Sequence, residues 1–113
     1  MRALSASGAI RDRVLVSGTT ATDAQGEVVC PGDPAGQTVY ILDKIAAGLR
    51  ALGARLEDVV RTRIYLKDAD QWEAVSRVHG RYFAGIRPAN TLIEISRLVG
   101  DYEVEIEAEA MID

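Results

Sequence analysis

The sequence predicts an α+β fold, a mixed sheet of about six strands with two helices packed on one of its faces. Three observations predict it. Near the end, Arg87 to Leu98 and Glu103 to Ala110 each alternate apolar and polar residues around a Val99-Gly100-Asp101 break, the pattern of two strands. Earlier, two stretches repeat their apolar residues at helical spacing. Between those stretches lies Val59 to Leu66, a run dense in β-branched residues.

Each element follows in order. The opening reads as a meander of short β-like runs, Ala3 to Ser7, Arg13 to Thr20 around Val14-Leu15-Val16, and Glu27 to Cys30, with turn chemistry at Arg11-Asp12 and at Asp23 to Gly26. Pro31-Gly32 stops the last run, and Asp33 with Pro34 starts a helix as N-cap and first helical residue. Ala35, Val39, Leu42, Ile45, Ala46, Leu49 and Leu52 form its apolar stripe, and Gly53 suits a left-handed cap that ends it. A strand over Asp58 to Lys67 comes next. Asp70 and Glu73 then resemble a capping box opening a second helix, whose stripe is Trp72, Val75, Val78, His79, Tyr82 and Phe83 and whose end is Gly85.

The last strand sets Val104, Ile106, Ala108, Ala110 and Ile112 on one side and Glu103, Glu105, Glu107 and Glu109 on the other. Carboxylates lined up in this way repel one another and call for cations. In the central strand Val60, Thr62, Ile64 and Leu66 are expected to meet the helices, leaving Arg61, Arg63, Tyr65 and Lys67 on the uncovered side. An acidic row beside a basic and aromatic one suggests that this free face is buried between subunits, with the charges fixing the pairing.

The 113 residues are expected to form one domain, 1–113, large enough to bury a core without disulfides or metal. Hydrophobic residues at 48% and charged ones at 27% are ordinary for a globular chain. A net charge of −4, with no basic cluster, argues against nucleic acid as a partner. No apolar run approaches the roughly 18 residues that span a bilayer, so no membrane role is expected. The single cysteine, Cys30, has no internal partner and reads as a small buried apolar residue; with no leader-like pattern at Met1, the cytoplasm is the expected compartment. His79 has no second ligand at metal-binding spacing and reads as a packed histidine.

Five pieces in order, Val14-Leu15-Val16-Ser17-Gly18-Thr19, Gly53 with Leu56-Glu57-Asp58-Val59-Val60-Arg61, Ile64-Tyr65-Leu66-Lys67-Asp68, Arg87-Pro88-Ala89 and Glu105-Ile106-Glu107-Ala108, resemble the Rid family, also called YjgF/RidA or endoribonuclease L-PSP. The resemblance implies a chorismate-mutase-like subunit in a homotrimer with a central barrel and a ligand cleft at each subunit boundary. It also implies hydrolysis of reactive enamines and imines such as 2-aminoacrylate, without cofactor or metal. In such members an arginine after Pro-Ala holds the substrate carboxylate and a glutamate near the C-terminus handles water. Glu107 matches that glutamate, whereas Asn90 stands where the arginine belongs, and Asn has no charged fork to offer a carboxylate.

On that resemblance Glu107 is the catalytic candidate, and Asn90, Leu92, Tyr65, Arg63, Ser17 and Gly18 are the substrate-binding ones. Other readings stay open. Arg63 either supplies a relocated cation or pairs with the glutamates of the last strand across an interface; ion pairs are common, which favours the second. Arg87 is a further replacement cation or a solvated loop residue. Asn90 holds a neutral ligand or satisfies the start of its strand. Two functions follow: an imine or enamine hydrolase, or a non-catalytic trimer that binds or senses a metabolite.

Overall fold

The computed structural model describes Arg2–Leu4 and Asp12–Ile112. Strands β1 (Arg2–Leu4) and β2 (Asp12–Thr19) precede helix α1 (Pro34–Ala51); β3 (Val59–Leu66), α2 (Trp72–Tyr82), β4 (Ala89–Glu94) and β5 (Val104–Ile112) follow. The sheet order is β1-β2-β5-β3-β4. β5 runs antiparallel to both its neighbours, and β3 and β4 are parallel, joined by α2 as the crossover that a parallel pair needs. Two helices on a mixed sheet make the fold α+β.

The sheet has five strands among the described residues rather than about six. Glu27 to Cys30 supplies only a single bridge, Val28 to Thr22, because Asp23 folds the segment back through bonds from the amides of Gln25 and Glu27 to its carboxylate. The rest of the Ala3 to Ser7 run, and the turn expected at Arg11, lie outside the described residues.

α1 begins as expected, with the Asp33 carboxylate accepting from the Gly36 amide and Pro34 in the first turn. Gly53 takes a φ of +81° just beyond its end. Its buried face, Ile41, Leu42, Ile45 and Leu49, meets Val14, Ile64, Leu66, Ile106 and Ala110 of the sheet in one apolar core. Buried Gln37 ties the layers by polar bonds: its Nε2 donates to the Val29 carbonyl and its Oε1 accepts from the Glu103 amide.

α2 starts differently from the expectation. Asp68, not Asp70, accepts the capping bond, from the Asp70 amide, and a short 3₁₀ turn over Ala69–Gln71 leads into the helix. No capping box forms at Gln71. Trp72 consequently falls before the stripe settles and is 54% exposed, while Val75, Val78 and Phe83 are buried as expected.

Two bulges adjust which side chains reach each face. On β3 the register passes from Val59 opposite Ala110 to Arg61 opposite Glu109, so two residues match one of β5. Val59 therefore enters the core at 3% exposure, and Val60, expected to meet the helices, is 45% exposed. On β2, Val16 pairs with Ala108 and Thr19 with Ile106, which places the extra residue at Ser17-Gly18. Cys30 is not the buried residue that its small apolar side chain suggests. It is exposed, in a tight turn with φ +50°, because the chain reverses there to enter α1.

Candidate functional site

The face of the sheet away from the helices carries the charged rows. On β5, Val104, Ile106, Ala108 and Ala110 are buried against the helices and Glu105, Glu107 and Glu109 alternate to the other side. The antiparallel register sets Tyr65 opposite Glu105, Arg63 opposite Glu107 and Arg61 opposite Glu109. The cations that the acidic row calls for come from this same chain. Arg63 lies 3.4 Å from Glu107 and 3.5 Å from Glu109, Arg13 lies 3.1 Å from Glu109, and Lys67 lies 3.6 Å from Glu103. Cross-strand pairs of opposite charge thus replace the repulsion that the row alone would impose.

Glu107 is held through one oxygen. Its Oε1 accepts a hydrogen bond from the Tyr65 hydroxyl and a second from the Arg63 guanidinium. Among the described residues Oε2 has no partner. The bond to Glu107 raises the Tyr65 pKa, because ionising the phenol would lose that bond; desolvation and the charge on Glu107 act in the same direction. Tyr65 therefore stays protonated and donates.

Around Glu107 lies a pocket of about 350 Å³ lined by Arg13, Leu15, Ser17, Arg61, Arg63 and Glu109. Ser17 follows Val16, which pairs with buried Ala108, so alternation turns Ser17 to this face. Gly18 sits beside it against Glu105, whose carboxylate crosses β2 where a Cβ on residue 18 would stand. Of the candidates, Glu107, Tyr65, Arg63, Ser17 and Gly18 gather on this face.

Asn90 and Leu92 do not join them within one subunit. Asn90 pairs in register with buried Thr62, and Leu92 with buried Ile64, so both point to the helix side. Leu92 packs against the apolar core. Asn90 Nδ2 donates to Thr62 Oγ1 at 3.0 Å, and the same hydroxyl meets His79 Nε2 at 2.8 Å. His79 also stacks on Phe83 with ring centroids 4.6 Å apart, and burial lowers its pKa. It is the packed histidine that the sequence suggests. Arg87 takes a φ of +54° in the exposed turn before β4, away from the pocket lining.

Arg61 and Arg13 were absent from the sequence-derived site. The alternation put Arg61 on the free face, but nothing local marked it as differing from Arg63. Arg13 reaches the pocket only through the pairing of β2 with β5. Among the described residues no cluster of His, Cys, Asp or Glu suits a metal ion, and no helix is long and apolar enough to cross a membrane.

Comparison with known proteins agrees with the geometry. The family model described as "Endoribonuclease L-PSP" matches residues 2–112. A RutC family protein of Pyrococcus horikoshii is 35% identical over 95 residues, 84% of this chain and 75% of that protein. The crystal structure of a YjgF/YER057c/UK114 family member of Mycobacterium tuberculosis superposes with a TM-score of 0.79 at 34% identity, covering 99% of this chain and all of the other. E. coli TdcF with bound serine gives a TM-score of 0.81 at 25% identity, covering 89% of this chain and 81% of that one. The chain belongs to the YjgF/Rid family, which carries the endoribonuclease L-PSP description.

Proposed function

We propose that this protein is a small-metabolite hydrolase of the Rid family that converts enamines or imines to carbonyl products and ammonia, with Glu107 positioning the attacking water. The observation that carries the reading is the two-sided state of the Glu107 carboxylate. Tyr65 and Arg63 bond Oε1, Oε2 has no partner among the described residues, and Glu107 lines a pocket of about 350 Å³. A carboxylate so anchored can accept a proton from a water while its own orientation stays fixed. Water adds to the imine carbon with its proton passing to Glu107. That proton then goes to the nitrogen to give the carbinolamine, an enamine having first become the imine by moving a proton from nitrogen to its β-carbon. The carbinolamine hydroxyl proton next passes through Glu107 to the amine, and the C=O bond forms as the C–N bond breaks and ammonia leaves. No redox partner or cofactor enters this balance.

The family membership supports a homotrimer whose subunits close the free face and form ligand clefts at their boundaries, and it supports a site in the cytoplasm. Serine bound to the relative TdcF supports a small carboxylate-bearing ligand. The protein is read as a branch of the family with Asn90 in place of arginine, without nucleic-acid or membrane partners.

A second reading, a trimer that binds a metabolite without turning it over, is favoured by one observation: Asn90 is neutral and spends its amide on Thr62. Ammonia release from freshly generated 2-aminoacrylate separates the two. The hydrolase reading expects wild-type turnover, lowered at least about 100-fold in Glu107→Gln. Binding of a 2-keto acid with no turnover in either protein selects the second reading.

A further inference from the structure

The ion pairs on the free face are unequally shared. Glu109 spends Oε2 on Arg13 and Oε1 on Arg63, and Glu107 gives Oε1 to Arg63. Arg61 is the residue in register with Glu109, yet it makes no ion pair among the described residues, because both oxygens of its natural cross-strand partner are taken. The pocket therefore holds three guanidinium groups against two carboxylates, and the unmatched positive charge is Arg61. The exposed Leu15 side chain gives the same pocket an apolar wall. A cation beside a partly apolar wall strengthens the attraction for an anion over what open water allows.

We propose that Arg61 is the carboxylate-binding residue of this pocket and that the ligand is a small monoanion whose carboxylate docks on the Arg61 guanidinium. The inference rests on the reading of the free-face pocket as the ligand site. It assigns the anchor to β3 and to neither Asn90 nor Arg87. The geometry gives the ligand a direction. Arg61 and Arg63 both project into the pocket, two residues apart on one strand, and Glu107 faces Arg63. A carboxylate on Arg61 leaves the adjacent carbon of a two- or three-carbon acid pointing along the sheet toward Oε2 of Glu107. Diagonal neighbours in an antiparallel pair are about 7–8 Å apart, a span that such an acid and one water fill. Arg63 keeps its own task, since the Glu107 carboxylate already occupies it. One net positive charge matches one carboxylate, so phosphorylated or dicarboxylic ligands fit less well.

Calorimetric titration of the purified protein with pyruvate, the stable keto product, tests the assignment without depending on turnover. Wild type is expected to bind pyruvate and to bind pyruvamide, its uncharged amide, at least about tenfold more weakly. Arg61→Gln is expected to lose about tenfold or more of the pyruvate affinity and none of the weak pyruvamide binding, with Arg61→Lys intermediate and Arg87→Gln unchanged. Arg61 is exposed, so circular dichroism should show all three variants folded. The proposal is overturned if wild type does not prefer pyruvate to its amide, or if Arg61→Gln binds pyruvate within twofold of wild type. It is equally overturned if that variant instead dissociates the oligomer at unchanged affinity per site, because Arg61 then pairs with a neighbouring subunit. Pyruvate binding lost in Arg61→Gln while wild type releases no ammonia keeps the anchor and removes the hydrolase reading, so the two failures are told apart.

Discussion

His79 is the chain's only histidine, and it sits between Phe83 and the Thr62 hydroxyl with its pKa lowered by burial. Between about pH 5.5 and 7 nothing else among the side chains normally titrates. The unfolded chain binds a proton there that the folded one resists, so stability is full above the unfolded histidine value and falls as the pH drops through it. Melting temperatures measured from pH 7 to 5.5 should decline for wild type. A His79→Gln variant, which keeps an amide for Thr62, should show a flatter profile; equal slopes for the two would contradict this account. The alternation in β5 and β3 was enough to put Glu107, Arg63 and Tyr65 on one face, because a period of two is a local property. Asn90 and Leu92 were not legible in the same way. Their direction is set by the register of β4 on β3, which pairs them with buried Thr62 and Ile64, and no local pattern encodes that register. Cys30 was misread for a related reason: its small apolar character says nothing about the turn that exposes it.

The helices were legible in their interiors and less so at their starts. α1 carries both of its signals, Asp33 and Pro34, next to its apolar stripe, and the structure uses both. At α2 two aspartates compete. Asp70 sits closer to the stripe, but Asp68 leaves β3 with extended backbone, as a capping residue must, and so accepts the Asp70 amide. Replacing Asp68 by Ala should cost about 1 kcal/mol in chemical denaturation, and the same change at Asp70 should cost less than about 0.5 kcal/mol. The reverse order would restore the capping-box reading. The bulges at Val60 and at Ser17-Gly18 were invisible for a different reason. A bulge is a mismatch between two strands, and Val59-Val60 reads as uninterrupted strand until β5 is laid beside it. Its consequence falls on the core, since the shift sends Val59 inward and leaves Val60 exposed, while Arg61 keeps the face that alternation gives it.

At the scale of the molecule, the sheet divides the chain chemically. One face is apolar and covered by α1 and α2; the other bears arginines, glutamates and Tyr65 around a pocket. The division was legible in the sequence because two helices on a mixed sheet cannot shield both faces. That the acidic row finds its counter-charges within its own chain was not, since Arg13 and Glu109 lie far apart in sequence and meet only through β2–β5 pairing. The pairing leaves self-association a weaker electrostatic task than the isolated row implied, and it leaves the pocket with one spare positive charge. Function belongs to this face, and amide chemical-shift mapping of the labelled protein with saturating pyruvate reads that out residue by residue. The largest shifts should fall on Ser17, Arg61, Arg63 and Glu107. Shifts concentrated instead on Asn90, Leu92 and α2, with those four residues unmoved, would contradict it.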